Sequence, residues 1–440
     1  MSARTRRSHP AKGSRKRAAP RTRRRVRQPV EYSLLLTATL CLLAFGVVMV
    51  FSASSTTSLL GDSGDGAFYL KRTLLFGVIG LLIMRVMSVR GVRIVRPLTG
   101  ALVFVSLVGL VAVMVPGIGM EVNGARRWIS AGFFQIQPSE FAKVALVLYG
   151  AHLLATRPQL TRSVADMGPF LAAVGVVCML VALEPDLGTA MVCCLGAAAL
   201  LLTAGARVRD LALIAAALGV LVLIAILIEP YRMERLTGFL NPSHDPAGTG
   251  FQATQARIAL GSGGILGVGL GESVQKAFYL PEAHTDMIAA VVGEELGFIG
   301  ILMLVGLYGL FAYAGLRTAQ RARDRYTKLL AAGLTTLVCM QAVINLFAVM
   351  GLAPLTGVPL PLVSYGNSSM LTMLAAVGLL LNIARAPGGR LRVVEGGAGR
   401  TASRTTTSRK SRTVATNRHR SRRHSGARGA RAGGRRRAAR

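Results

Sequence analysis

The sequence predicts an all-α polytopic membrane protein with about ten transmembrane helices, a long extracytoplasmic loop and disordered basic tails. Three observations support this class. Of the 440 residues, 52% are hydrophobic, and the mean hydropathy is +0.49. The formal charge is nevertheless +33, and most of it is concentrated near the two ends of the chain. Between those ends lie ten apolar segments of roughly the 20 residues that a spanning helix needs.

The ten predicted spans fill the chain between the tails. They are 33–53, 69–87, 97–115, 137–156, 168–184, 188–204, 211–229, 287–315, 328–350 and 367–385. Basic residues precede the first span, as they do in a signal peptide. Nine further apolar segments follow it, which favours a retained transmembrane helix.

Charge divides the chain into three regions. Residues 1–30 contain 12 Lys and Arg and no acid, and residues 386–440 contain 17 Lys and Arg and one acid. The middle, 31–385, is close to neutral. We therefore expect a ten-helix membrane domain over 31–385 between two disordered tails. This composition excludes a water-soluble enzyme, a collagenous chain and a disulfide-stapled domain.

Lys and Arg in the short loops predict the orientation. Arginines within 90–96, 157–162, 207–209 and 317–325 share one side, and basic loops face the cytoplasm. Both termini are expected there. The tails are expected to contact anionic lipids, at about 1 kcal/mol per basic residue near the surface, and nucleic acid is the less favoured partner. The outer side carries one long loop, about 230–286, whose apolar stretches suit the membrane interface.

Ionisable groups at or near membrane depth are costly, and each is a hypothesis of function. Arg126 and Arg127 break the charge trend of the outer side, which favours an anionic ligand that accepts bidentate hydrogen bonds. Trp128, the only tryptophan, suits an interfacial anchor or a ligand contact. Glu140 and Lys143 lie three residues apart on one predicted helix face, as a structural pair or as part of a binding site.

Two carboxylates and a glycine-rich run follow along the chain. Glu184 and Asp186 lie at a sharp bend between two spans, which suits ligand binding or a helix-capping turn. Six glycines between Gly261 and Gly271 resemble a dinucleotide loop, but the strand–turn–helix context is missing. We interpret them as a place of close backbone approach to another helix or to a lipid head group.

Asp286 lies at the predicted start of the eighth span. Either Thr285 or Asp286 is expected to cap that helix, and the helix dipole favours an ionised carboxylate there. With Glu282 and His284 nearby, Asp286 suits a general base or a cation ligand as well as an ordinary cap. These alternatives stay open on the residues alone.

Further polar groups lie deeper. Glu294 and Glu295 follow about 12 Å along the helix, and at least one of these adjacent acids must be paired or line a cavity.

Three prolines within 354–369 break any helix in an apolar stretch, which predicts a buried re-entrant element. Together the clusters suit a ligand that is anionic at one end and apolar at the other, such as a lipid-linked phosphate.

Seven motifs occur together and in order. They are Gly124-Ala-Arg-Arg-Trp-Ile129, Gln137-Pro-Ser-Glu-Phe-Ala-Lys143, Glu184-Pro-Asp-Leu-Gly-Thr189, Ala259-Leu-Gly-Ser-Gly-Gly264, Leu280-Pro-Glu-Ala-His-Thr-Asp286, Gly293-Glu-Glu-Leu-Gly297 and Pro354-Leu-Thr-Gly-Val-Pro-Leu-Pro361. In these motifs, over about 32–385, the chain resembles the SEDS family of bacterial cell-wall synthesis, which contains FtsW, RodA and SpoVE. The sequence of the motif Leu280–Asp286 and the long tails resemble the FtsW members most.

The resemblance implies a peptidoglycan glycosyltransferase that polymerises lipid II by inverting transfer at the outer face, with undecaprenyl diphosphate as the leaving group. It implies Asp286 as the catalytic residue. The candidate substrate-binding residues are Arg126, Arg127, Trp128, Glu140, Lys143, Glu184, Asp186, Arg257, Glu282, His284 and Glu294. The leaving diphosphate needs positive charge, which is expected from the basic members of this set or from a divalent cation, Mg²⁺ or Mn²⁺.

The resemblance also implies a cognate class B penicillin-binding protein and other divisome proteins as partners, at the division septum of a bacterial cytoplasmic membrane. An elongation-type polymerase like RodA is the alternative within the family. Two hypotheses from other classes are a lipid II flippase, which needs polar groups near the midplane, and a non-catalytic division scaffold. The polar groups gather at the outer ends of the spans, which favours the polymerase.

Overall fold

The computed structural model describes residues 29–60, 64–122, 125–131, 134–228, 230–240, 248, 250–277 and 279–385. Nearly all of the predicted membrane domain is therefore included. The two tails that were predicted to be disordered lie outside these residues, apart from positions 29 and 30.

Helices dominate the described residues. They are α1 (Val30–Leu60), α2 (Phe68–Met114), α3 (Pro138–Thr156), α4 (Gly168–Leu183), α5 (Leu187–Ala204), α6 (Val208–Ile228), α7 (Pro230–Leu240), α8 (Phe251–Ser262), α9 (Ile288–Gln320), α10 (Arg325–Val349) and α11 (Asn367–Arg385). A short 3-10 helix, Pro158–Thr161, follows α3. Each of the ten predicted spans is helical to within one residue at either end. All five cysteines are free, as expected.

Seven of these helices are long and apolar enough to cross a membrane: α1, α2, α5, α6, α9, α10 and α11. The shorter α4 is apolar throughout its 16 residues. In α3, Glu140 and Lys143 interrupt an otherwise apolar sequence. The predicted class, an all-α protein that passes through the membrane several times, is confirmed.

The longest helix, α2, spans 47 residues and contains two predicted spans. Ser88, in its first half, accepts a hydrogen bond from Asn382 near the end of α11. Gly109, in its second half, lies against Pro138 at the start of α3. The start of α3 is itself joined to Ser368 at the start of α11, so the two halves run in opposite directions. The predicted basic loop between them is a helical bend.

A small antiparallel sheet, which the sequence analysis did not predict, lies between α2 and α3. Its strands are β1 (Gly119–Val122), β2 (Ala125–Ala131) and β3 (Phe134–Ile136), in the order β1-β2-β3. Trp128 of β2 is paired with Met120 of β1. Because successive side chains of a strand point to opposite faces, the adjacent Arg126 and Arg127 are directed to different surroundings.

A non-helical segment, residues 351–366, lies between α1, α9 and α10; we call it the buried segment because its second half is in the core. Val358, Leu360 and Val363 within it are at most 2% exposed. An added Cβ at Gly46 of α1 would lie 2.7 Å from the Leu362 carbonyl oxygen, so the contact is close. The predicted irregular element is confirmed, and its second half, residues 358–364, is largely enclosed by protein, as non-helical backbone at depth must be.

Helix α9 is interrupted at Gly297, whose φ of 65° lies in the left-handed region. The glycine-rich run packs on this interruption: the Val268 and Gly269 N–H groups donate to the Glu294 and Glu295 carbonyl groups at 3.0 and 3.1 Å. The predicted close approach of the run is therefore to another helix. The described residues of the predicted outer loop 230–286 include α7 and α8 as well as this run.

The two ends of the bundle carry different groups. At one end, called the tail end, Arg385 of α11 donates to Tyr32 Oη of α1 at 2.8 Å, and Arg321 of α9 pairs with Glu31 of α1. The chain ends that lead into the basic tails therefore leave the bundle side by side. The opposite end, called the site end, carries the starts of α3, α5, α9 and α11.

Candidate active site

Asp286 lies at the site end, in the turn that leads into α9. The prediction that Thr285 or Asp286 caps this helix was wrong, because α9 begins later, with Met287 as its cap residue and no side-chain cap hydrogen bond. The helix begins later because residues 282–287 form a turn in which two N–H groups donate to one carbonyl group. The N–H groups of Thr285 and Met287 both donate to the Glu282 carbonyl oxygen, at 3.1 and 3.3 Å.

Asp286 is held against the buried segment. Asn345 of α10 donates from Nδ2 to the Asp286 carbonyl at 2.7 Å and to the Val358 carbonyl at 2.9 Å. The neighbouring Gly357 has a φ of +69°, and a Cβ placed there would lie 4.0 Å from Asp286 Oδ2. The partly exposed carboxylate of Asp286 therefore lies beside Gly357, at the edge of the buried segment.

Glu282 and Asp286 form a pair of carboxylates joined by one hydroxyl group. Thr285 Oγ1 donates to Glu282 Oε2 at 2.8 Å and lies 3.3 Å from Asp286 Oδ1. Among the described residues, no three His, Cys, Asp or Glu side chains form a group that could enclose a metal ion. Mg²⁺ is commonly held by one or two carboxylates together with substrate phosphates. The pair fits a cation shared with a diphosphate better than a cation enclosed by protein.

His284 belongs to an aromatic cluster beside this carboxylate pair. Its ring centroid lies 4.2 Å from that of Tyr69 and 5.6 Å from that of Tyr365, whose N–H donates to the His284 carbonyl at 2.9 Å. Burial lowers the pKa of His284 below its ordinary value of 6.5, against the opposing effect of Glu282. The neutral imidazole is favoured at neutral pH, where one ring nitrogen donates and the other accepts.

Glu140 and Lys143 form the pair expected from their spacing on α3. Lys143 Nζ lies 2.8 Å from Glu140 Oε1, and both side chains are at most 1% exposed. Lys143 also donates to Gln341 Oε1 of α10 at 2.8 Å. Gln341 Nε2 in turn donates to the Pro359 carbonyl at 3.0 Å. The pair therefore reaches the same buried segment that lies beside Asp286.

Glu184 and Asp186 lie in the turn between α4 and α5 and have different partners. Asp186 caps α5, since its Oδ1 accepts the Thr189 N–H at 3.0 Å. The carboxylate oxygens of Glu184 make no hydrogen bond within the described part of the chain. Burial, together with Asp186, raises the pKa of Glu184 to about 8 despite Arg127. Arg127 donates instead to the carbonyl groups of Glu184, at 3.0 Å, and Pro185.

Arg126 and Arg257 are the exposed arginines of the predicted set. Arg126 pairs with Glu121 across β1 and β2 at 3.2 Å, and both side chains are about half exposed, at 45% and 56%. Arg257 of α8 lies beside Gly351, with its Nη2 3.4 Å from that carbonyl oxygen. Trp128 is half-buried in β2. These three side chains are accessible from outside the protein, unlike the buried lysine of α3.

Glu294 and Glu295 bind the loop that follows the glycine-rich run. Glu294 accepts hydrogen bonds from Ser273 Oγ at 2.5 Å and from a loop N–H at 3.0 Å. Glu295 pairs with Lys276 at 2.8 Å and accepts from Ser52 Oγ of α1 at 2.6 and 2.7 Å. The expectation that at least one of these acids is paired is confirmed. The two glutamates lie about two helical turns along the chain from Asp286.

Two of the predicted clusters reach one stretch of the buried segment, residues 356–359. Asp286 lies beside Gly357, and the pair of Glu140 and Lys143 reaches Pro359 through Gln341. The contact from the α4–α5 turn is Gly188, where an added Cβ would lie 2.7 Å from the Thr356 carbonyl oxygen. Sequence reasoning missed Gln341 and Asn345, although two amides four residues apart in an apolar span are a signal of this kind.

The fold and the site define a polytopic membrane protein whose ionisable groups gather around a buried non-helical segment at one end of its helices. The chain belongs to the family of FtsW, RodA and SpoVE. That family, described as "Cell cycle protein", matches residues 32–387. The match covers the whole membrane domain, so the resemblance carried by the seven motifs is confirmed.

Named relatives and solved structures agree with this family. The chain is 40% identical over 357 residues to a probable peptidoglycan glycosyltransferase FtsW of Trichlorobacter lovleyi, covering 80% of this chain and 93% of that protein. It is 39% identical over 354 residues to stage V sporulation protein E of Bacillus subtilis, covering 80% and 96%.

Two solved structures share the fold. One comes from work on the structural coordination of polymerization and crosslinking by a peptidoglycan synthase complex, with a TM-score of 0.66, 33% identity, and 80% of this chain and 96% of that chain covered. The other is the rod shape determining protein RodA of Thermus thermophilus, with a TM-score of 0.59, 29% identity and the same coverage. Both likenesses extend over the membrane domain.

Proposed function

We propose that this protein is a peptidoglycan glycosyltransferase that polymerises lipid II. The observation that carries the proposal is the place of Asp286, a partly exposed carboxylate at the site end that is held against the buried segment through Asn345. Family membership and the names of the relatives support the substrate class. A carboxylate in such a place can act as a general base on a hydroxyl group that reaches it from outside.

The proposed reaction transfers the growing glycan chain from undecaprenyl diphosphate to lipid II. The 4-hydroxyl oxygen of the acceptor sugar attacks the anomeric carbon of the growing chain, and the bond from that carbon to the diphosphate oxygen breaks. Asp286 accepts the proton of the hydroxyl group, and undecaprenyl diphosphate leaves with the bonding electrons. Attack opposite the leaving group inverts the anomeric centre.

Positive charge near the diphosphate lowers the barrier, because that group gains negative charge as it leaves. We assign this role to Arg126 and Arg257 because both are exposed, whereas Lys143 is enclosed by protein and Arg127 holds the turn between α4 and α5. Trp128, on the same strand as Arg126, is the candidate contact for the sugar or the lipid. Mg²⁺ or Mn²⁺ held by the carboxylate pair together with the diphosphate would supply further charge stabilisation.

A lipid II flippase is the second candidate, and the interruption of α9 is the observation that favours it. Discontinuous helices form the substrate sites of many transporters. In this chain, however, the glycine-rich run packs on the interruption, and Glu294 and Glu295 are hydrogen-bonded to protein groups. A polymerase accounts better for the carboxylate pair at the site end.

We also propose the setting in which the enzyme acts. A class B penicillin-binding protein would crosslink the strands that this protein polymerises, with other divisome proteins, at the septum of the cytoplasmic membrane. The likeness to a peptidoglycan synthase complex supports such a partner. The contact between Tyr32 and Arg385 supports a common side for both tails. Their basic composition favours the cytoplasmic side, where anionic lipids attract them.

The test is lipid II polymerisation by the full-length protein purified with its class B partner, in the presence of Mg²⁺. We expect glycan ladders from the wild type and none from Asp286→Ala, because the acceptor hydroxyl group loses its base. Asp65→Ala is the matched control, since Asp65 is an exposed carboxylate at the same end that pairs with Lys71. Ladders of normal yield from Asp286→Ala would reject Asp286 as the base, and lipid II flipping without ladders would favour the transporter.

A further inference from the structure

We propose that Lys143, Gln341 and Asn345 are positioning residues, which hold Asp286 in place through the buried segment and do not touch the substrate. We call these three residues the relay. The inference rests on the proposed function, because the carboxylate that the relay positions is the proposed general base. It gives Lys143 a role different from the diphosphate contact that its charge suggested.

The relay begins at a lysine that is enclosed by protein. The side chain of Lys143 is 0% exposed, and its ammonium group donates to Glu140 Oε1 and to Gln341 Oε1, each at 2.8 Å. The glutamate neutralises the charge, as a buried lysine requires. The second bond fixes the Gln341 amide, because an amide whose oxygen accepts from the lysine presents its NH₂ group on the other side.

The NH₂ groups of the relay hold two consecutive carbonyl groups of the buried segment. Gln341 Nε2 donates to the Pro359 carbonyl at 3.0 Å. One turn further along α10, Asn345 Nδ2 donates to the Val358 carbonyl at 2.9 Å and to the Asp286 carbonyl at 2.7 Å. Residues four apart share one face of a helix, so a single face of α10 joins the buried segment to Asp286.

The buried segment depends on such side-chain donors, because it forms no helix or strand of its own. A buried carbonyl group left without a donor is destabilising, so loss of either amide favours displacement of residues 356–359. Gly357 in this stretch lies beside Asp286 Oδ2. A misplacement of about 1 Å at a reacting group can lower the rate roughly 100-fold, and the relay is therefore expected to act on kcat.

The test compares single variants of the full-length protein purified with its class B partner. Asn345→Ala and Gln341→Met each remove one amide of the relay. Thr335→Val is the matched control, because Thr335 is buried in the same helix and donates to the carbonyl of its own preceding turn. Lipid II polymerisation gives kcat and KM. Hydrogen–deuterium exchange without substrate reports on the backbone of 280–287 and 352–366.

We expect both relay variants to lower kcat about tenfold or more while KM changes less than about threefold. Exchange should become faster at 280–287 and 352–366 alone, and the control should change neither quantity. Because exchange needs no substrate, it tests the relay even if the wild type makes no glycan, a result that would reject the proposed function separately.

Three outcomes would overturn the relay. One is unchanged kcat and unchanged exchange in both variants. Another is a rise in KM without a fall in kcat, which would make these residues substrate contacts. The third is faster exchange throughout the chain in both variants, which would make the amides general determinants of the fold. If Asn345→Ala alone exchanges faster throughout the chain, the result for Gln341→Met is used to accept or reject the relay.

Discussion

Two buried lysine–glutamate pairs lie within the described membrane domain, and their surroundings differ. Lys143 and Glu140 join α3 to α10, whereas Lys276 and Glu295 join the loop after the glycine-rich run to α9. The charged groups are 2.8 Å apart in both pairs, and all four side chains are at most 4% exposed. In each pair one buried charge requires the other, because an isolated ion loses its hydration without compensation.

The difference lies in the next hydrogen bond. Within the described residues, the pair of Lys276 and Glu295 has no further hydrogen bond that leads towards Asp286. Ser52 of α1 donates to Glu295, and Lys276 also donates to the Gly271 carbonyl. Around Glu140 one carboxylate oxygen makes no hydrogen bond within the described residues, and the lysine donates its second bond to Gln341. The same chemical unit thus anchors a loop in one place and reaches towards the proposed base in another. The two pairs have the same residue types, and their roles differ because the next hydrogen-bond partner of each pair differs.

The largest effect on stability is expected from Lys276→Met, which leaves Glu295 buried without its counter-charge. Removing one partner of a buried pair lowers the free energy of unfolding by about 3–5 kcal/mol. The measurement is denaturant unfolding in one detergent. Lys71→Met is the control, since the pair of Lys71 with Asp65 is exposed and its loss should change the stability little. Equal losses in the two variants would remove the distinction between buried and exposed pairs.

Charge-neutral double variants sharpen the comparison. Lys276→Met with Glu295→Gln should recover much of the stability lost by the single variant, with kcat close to that of the wild type. Lys143→Met with Glu140→Gln should recover stability but keep a kcat reduced about tenfold, because the Gln341 amide loses the donor that orients it. The measurements are unfolding and polymerisation on the same preparations. Full recovery of kcat in the second double variant would contradict the difference between the pairs.

Glu184 is a buried carboxylate without a lysine, and a proton can neutralise it instead. Its pKa is raised from the ordinary 4.5 to about 8 by burial and by Asp186. An acid with a raised folded-state pKa destabilises the fold as pH rises from its unfolded pKa to its folded pKa. Wild-type stability should therefore fall between about pH 4.5 and 8 by a contribution that Glu184→Gln removes. Identical slopes of unfolding midpoint against pH in both proteins would mean that Glu184 ionises normally.

The smallest effect is expected at the exposed pair of Arg126 and Glu121. Arg126→Ala should change stability by about 0–1 kcal/mol, and it should weaken lipid II binding a few-fold because one diphosphate contact is lost. Binding of labelled lipid II to the purified protein in nanodiscs measures the affinity. Arg127→Ala is the contrasting variant, since it removes hydrogen bonds to the α4–α5 turn and should reduce stability more. An unchanged affinity for lipid II in Arg126→Ala would reject Arg126 as a diphosphate contact and leave Arg257 as the candidate.

Local patterns were predictable where sequence neighbours are also spatial neighbours. The Glu140–Lys143 pair followed from a spacing of three on a helix, and the irregular buried segment followed from its prolines. The cap of α9 was predicted wrongly, because residues 282–287 form a turn around the Glu282 carbonyl and the helix begins after it. Capping patterns in the sequence do not reveal such a turn. The small sheet was missed as well, since its strands have three to seven residues and a short strand carries little periodicity.

The membrane class, the helical segments and the identity of most ionisable groups at the site could be predicted from the amino-acid sequence, because these depend on composition and short spacings. Which charge meets which partner became visible in the folded bundle alone. Ser52 and Glu295 are 243 residues apart, and Lys143 and Gln341 are 198 apart. Such pairings depend on how each helix is rotated and packed within the bundle. That arrangement depends on contacts between many helices, and no local pattern contains it.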